Sequence, residues 1–138
     1  QELDPRVGNG EFGKSGSMGS SEGSGKIAVN GVMSPHGLYM HGTPQGYSSV
    51  GYRLGGRYKK LEAFVALNDS ADRPWSASAF IVEGDGKVLW KSKPIADRGK
   101  PQRCAVSIAG VDLLKLLVHC PGHHHMSHAV WLEPVVER

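Results

Sequence analysis

The 138-residue chain lacks the marks of several large classes of protein. No apolar run approaches the roughly 18–20 residues that a membrane-crossing helix needs. Neither sign of charge dominates. Sixteen Lys and Arg against thirteen Asp and Glu leave +3 with neutral histidine, too small a surplus for the electrostatic footprint of a nucleic-acid or anionic-membrane binder. Nor is there a basic stripe interleaved with aromatics on which bases would stack. A catalytic serine elbow, a P-loop and a His-Glu-x-x-His metal helix are not expected of this chain. Neither cysteine stands in a recognisably electropositive setting, so the chain is expected to be non-catalytic. The 19 glycines and 8 prolines disfavour long helices, and the length suits one domain, since single cores run to about 100–150 residues.

What is there begins with an unusual stretch. Residues 1–26 hold seven glycines and five serines, and their only bulky apolar side chains are Leu3, Val7, Phe12 and Met18. Such a composition has little apolar surface to offset its ordering entropy. It reads as an arm or linker ahead of a folded unit at 27–138, and a neighbouring chain is the partner expected to order it. The first residue is Gln1 rather than methionine. A signal peptide removed upstream, or a boundary placed there, explains this equally, and a secreted or periplasmic location is the expectation.

From Lys26 onward, short alternating runs are cut by turn residues every eight to twelve positions, the pattern of an all-β sandwich. Strands are predicted at 26–29, 37–40, 49–54, 60–68, 76–83, 87–91, 103–108, 113–120 and 129–133. Asp85-Gly86 supplies the positive φ angles of a tight hairpin between Phe80–Val82 and Val88–Trp90. A second hairpin is expected from Cys104–Ile108 to Leu114–Cys120 across Gly110-Val111-Asp112. Its register sets Cys104 opposite Cys120, at a separation a disulfide tolerates. Closing that loop is worth roughly 3 kcal/mol in the chain-entropy treatment. A bridge fits export; two reduced, buried cysteines are the alternative.

Several segments, read in order, resemble one family: Gly37-Leu38-Tyr39-Met40-His41, Val50-Gly51-Tyr52-Arg53-Leu54-Gly55-Gly56-Arg57-Tyr58, Phe64-Val65-Ala66-Leu67-Asn68-Asp69, Phe80 to Ser92, Val106 to Leu116, and His128-Ala129-Val130-Trp131. Together, over about residues 30–136, they are similar to the NPCBM domain, a carbohydrate-binding module related to carbohydrate-binding module family 51. The resemblance implies a galactose-binding-like jelly-roll β-sandwich and a non-catalytic module that binds saccharide or glycan. It also implies a structural calcium ion. Ser127 stands where the family often has Asp, and Asn68-Asp69 where it has paired Asp, so two carboxylates are replaced.

Sugar recognition needs an aromatic face against the apolar side of a pyranose and planar polar groups for its hydroxyls. By residue type the candidates are His41, Tyr47, Arg53, Asn68, Asp69, Trp75, His128 and Trp131, and the set carried forward is His41, Asn68, Asp69, Trp75 and His128. Trp131, between Val130 and Leu132, is expected in the core. Trp75, after Pro74 in a loop, is the better platform. In Gly122–His128 four imidazoles fall within six residues, and His123, His125 and His128 are candidate nitrogen ligands for a transition metal. The competing expectation to a sugar-binding module is an accessory subunit, homo-oligomeric or within a larger extracellular assembly, that docks through residues 1–26.

Overall fold

The computed structural model describes residues 3–8, 10–18, 25–41, 43, 47–72, 74, 76–122 and 127–138. In chain order its strands are β1 (Arg6–Val7), β2 (Phe12–Gly13), β3 (Ala28–Val29), β4 (Val32–Met33), β5 (Leu38–His41) and β6 (Tyr47–Arg53). They continue as β7 (Lys60–Leu67), β8 (Ala79–Gly84), β9 (Lys87–Lys91), β10 (Gln102–Ser107), β11 (Leu113–His119) and β12 (His128–Glu137). Two antiparallel five-stranded sheets, ordered β1-β6-β11-β8-β9 and β10-β7-β12-β5-β2, enclose one core, and β3-β4 is a separate hairpin. The all-β sandwich expected from the turn spacing is therefore what the chain adopts.

Alternation explains the core. From the first sheet Val50, Phe80, Val82, Leu116 and Val118 point inward, and from the second Met40, Val65, Leu67, Ala129 and Trp131 meet them. Trp131 is fully buried with Phe80 edge-on at 5.5 Å, so this tryptophan belongs to the core.

The second sheet is apolar on its other face as well. Tyr39, Val130 and Ala66 lie side by side across β5, β12 and β7, and all three are inaccessible to solvent. Met18, Ile27 and Val29 cover them. The described residues of the stretch expected to be an arm thus fold onto their own sandwich. β1 pairs with β6, β2 pairs with β5, and Ser17 bridges to Lys26. A few apolar residues suffice because each fills a row of the sheet, so the order of this stretch has a source within the chain. Residues 8–15 happen to spell the P-loop pattern Gly-x-x-x-x-Gly-Lys-Ser, but here they run through the edge strand β2 into a turn at Lys14–Ser17, with no helix N-terminus to cradle a phosphate.

The first hairpin forms as expected: Gly84 pairs with Lys87, and Asp85 and Gly86 have φ of 49° and 84°. Asp85 also accepts hydrogen bonds from the backbone N–H of Leu113 (2.8 Å) and Asp112 (3.2 Å), and these hold its carboxyl below the usual range. The second hairpin does not form. β10 pairs with β7 in one sheet and β11 with β6 and β8 in the other, so Gly110-Val111-Asp112 is a crossover between sheets and Cys104 lies opposite Ala63. Both cysteines are buried, and neither is in a disulfide. Two strands on opposite sheets of a sandwich show the same inward alternation as two strands of a hairpin, so the pattern fitted the wrong connection.

Burial pushes the Cys104 thiol up to about 12. Intact mass is accordingly expected to be unchanged by reductant, with both thiols reacting with a maleimide in denaturant and Cys104 unreactive in the native protein at mildly alkaline pH. The depressed Asp85 carboxyl stabilises the fold above its unfolded value, about 3.9, and that contribution is lost as pH falls through the folded value. Asn tolerates positive φ, so Asp85→Asn keeps the turn while removing the titration. The variant's urea midpoint is expected to drop less than the wild type's between neutral pH and about pH 3.

Candidate functional site

Three connections cross between the sheets at one end of the sandwich, joining His41 to Tyr47, Leu67 to Ala79 and His119 to His128. Regular strands therefore set four ring-bearing residues at this end. His41 closes β5 and His128 opens β12. The two are cross-strand partners, with ring centroids 5.4 Å apart. Tyr39 meets both rings edge-on, at 6.4 and 6.0 Å. On the other sheet Tyr47 and His119 are also partners, stacked at 4.2 Å with 7° between their planes. His128 is buried, His41 half-buried, and Tyr47 is 44% exposed. His119 escaped the sequence reading, because its signal is a pairing register set only when β11 lies beside β6.

Asn68, just past the end of β7, is 1% exposed. Its Oδ1 accepts the backbone N–H of Ala28 at 2.8 Å. Its Nδ2 faces the Ser70 hydroxyl (2.9 Å), the Met18 sulfur (3.2 Å) and the Lys26 carbonyl (3.3 Å). Ser70 Oγ in turn lies 2.8 Å from His128 Nδ1. Asp69 accepts the N–H groups of Asn30 and Gly31, both at 2.8 Å, in the β3–β4 turn, where φ is 54° and 76°. Its carbonyl accepts from Arg98 at 2.7 Å. Both residues thus brace the covering segment, and Asn68 reaches His128 through Ser70.

Calcium takes 6–8 oxygen ligands. Around Asn68 and Asp69 the side-chain oxygens already receive backbone N–H groups, and among the described residues no three His, Cys, Asp or Glu side chains converge as a metal site. The donors at this pair do not fit the ion. Trp75, His123 and His125 lie outside the described residues. Arg53 falls at the opposite end of the sandwich, paired with Asp112 at 2.8 Å, and takes no part in this cluster.

Asn68→Ala would orphan the Ala28 N–H and leave the Lys26 carbonyl, the Met18 sulfur and the Ser70 oxygen without the donor they share. A loss of about 2–4 kcal/mol is expected in urea unfolding, with faster tryptic cleavage at Lys14 and Lys26 as the segment over Tyr39 and Val130 loosens.

By sequence, no curated protein matches the chain. Among solved structures, the CBM51 of Clostridium perfringens GH95 in complex with methyl-galactose superposes with a TM-score of 0.77 at 22% identity, over 99% of this chain and 94% of that one. The tandem CBM51 modules of Sp3GH98, the family 98 glycoside hydrolase of Streptococcus pneumoniae SP3-BS71, also give 0.77, at 20% identity, over 99% of this chain and 45% of that one. CBM51-2 of Clostridium perfringens ZmpB, with its INT domains and GlcNAc, gives 0.75 at 20% identity. The chain covers 97% of itself in that match and spans 29% of the ZmpB fragment. Identities this low establish the shared sandwich, and the sequence itself goes further: residues 3–137 match the NPCBM/NEW2 domain profile, a span that includes most of the stretch read as an arm, and the chain belongs to that family.

Proposed function

We propose that this chain is a non-catalytic, extracytoplasmic carbohydrate-binding module whose saccharide docks beside the His41–His128 pair, on the outer face of the second sheet at this end of the sandwich. The observation that carries the reading is the placement of two imidazoles in contact with one another on the ends of β5 and β12. An aromatic face takes the apolar side of a pyranose, and imidazole nitrogens serve its hydroxyls. Trp75, in the connection from Leu67 to Ala79, is assigned the stacking role. Asn68 and Asp69 act by positioning, since their side chains are committed to the covering segment and, through Ser70, to His128. Relatives of the same fold are described with methyl-galactose and with GlcNAc, which supports a neutral hexose or its N-acetylated form as ligand. Few contacts and an open site imply millimolar dissociation constants, about −4 kcal/mol.

The test is calorimetric titration with methyl-galactoside and with GlcNAc, after a glycan array has ranked them. Saturable binding of at least one sugar is expected. His41→Ala should weaken it about tenfold or more, and Tyr47→Ala, on the outer face of the other sheet, and Arg53→Ala, at the other end, should leave it unchanged. No saturable heat with any arrayed sugar at millimolar ligand, or equal loss with Arg53→Ala, overturns the proposal.

A further inference from the structure

The opposite end of the sandwich holds a cavity of about 570 Å³, within the size range of small-molecule sites. It opens between the sheets where β5 and β7 begin and β6 ends. Its walls are unlike one another. Leu38, Tyr52, Leu61 and Leu116 contribute inward-facing apolar surface, and Leu3 flanks them. Lys14, Ser15, His36 and Glu133 contribute the polar part.

Glu133 is the unusual member. Four described non-glycine residues have positive φ, and Ser15, Asn30 and Asp85 each precede a glycine in a tight turn. Glu133, at 44°, instead sits in the irregularity that shifts the register of β12 between Leu132 and Val135. Backbone strain of this kind gathers at ligand sites. The bulge turns the carboxylate onto Ser34 Oγ (2.7 Å), the His36 backbone N–H (2.7 Å) and His36 Nδ1 (2.8 Å). Burial alone would raise its pKa, but these hydrogen bonds outweigh it and hold the carboxyl below the usual range. The negative charge is thereby engaged, whereas Lys14 on the same rim has no carboxylate partner among the described residues. Glu133 keeps its charge with its oxygens already hydrogen-bonded, so an apolar chamber with a lysine at its mouth that has no carboxylate partner among the described residues complements an apolar tail bearing one anionic head.

We propose that this cavity binds a free aliphatic carboxylate of medium chain length, its hydrocarbon among Leu38, Tyr52 and Leu116 and its carboxylate at Lys14. The site is separate from the saccharide end and stands or falls independently of it. The experiment is an NMR titration of the intact chain with octanoate and, in parallel, with octanol. Saturable shifts are expected at Leu38, Tyr52 and Leu116 and none at His41 or His119, with octanoate bound more tightly than octanol. Lys14→Ala, on the surface and outside the core, should weaken octanoate about tenfold and leave octanol unchanged. Leu3→Trp, which narrows the mouth, should weaken both. Absence of saturable shifts at millimolar octanoate, shifts confined to the His41 end, equal binding of octanol, or an unaltered Lys14→Ala variant would each overturn the proposal.

Discussion

The carboxamide of Asn68 sits where the end of β7, the covering residues Met18 and 25–31 and the start of β12 meet, and each of these depends on it. One oxygen holds Ala28, one nitrogen reaches Lys26, Met18 and Ser70, and Ser70 carries the connection to His128. Beside it, Asp69 clamps the turn that follows β3. In a buried setting such a network is cohesive only when every member is satisfied. Its reward is large, because the covering segment seals Tyr39, Ala66 and Val130, a row of apolar surface that would otherwise face water on the outside of a sheet.

That constraint gives the domain its two distinct ends. At the end braced by Asn68, strand termini present rings on paired backbone, and sites of this kind keep their geometry better than sites carried wholly by loops. At the other end the two sheets part, the turn at Lys14–Ser17 and the bulge at Glu133 line the gap, and an apolar chamber remains between them. The His128 ring is fixed by contacts from two directions, Ser70 at Nδ1 and Tyr39 edge-on. The orientation of a polar group toward a ligand is thus inherited from packing around it.

Most strands were legible because half-buried strands alternate, and Asp85-Gly86 was legible because few dipeptides meet the φ requirement of a two-residue hairpin. The order of residues 3–18 was not, since linker composition measures the average and hides that Met18 fills one gap. A signal was present in the partner surface: Val65-Ala66-Leu67 and Ala129-Val130-Trp131 are uninterrupted apolar runs, which strands covered on both faces display and strands covered on one do not. The pairing of Cys104 with Cys120 failed for the complementary reason. Alternation reports which side chains enter the core and is silent on which sheet delivers them. Likewise His41 and His128 stood out by type, whereas their contact, and the Tyr47–His119 stack, follow from registers between strands distant in the chain.

The sequence by itself determined the class of fold, the turn at Asp85-Gly86, most of the strand segments and the family to which the chain belongs, because these rest on local alternation, on backbone dihedrals and on ordered motifs. Only the tertiary structure decided that residues 3–8 and 10–18 belong to the sandwich and that the two cysteines stay apart without a disulfide. It also decided that Asn68 and Asp69 brace the covering segment, while His41, Tyr47, His119 and His128 gather at one end. Those outcomes depend on which strand lies beside which, and strand neighbours are selected by the burial of whole sheet faces, a quantity that no short stretch of the chain contains.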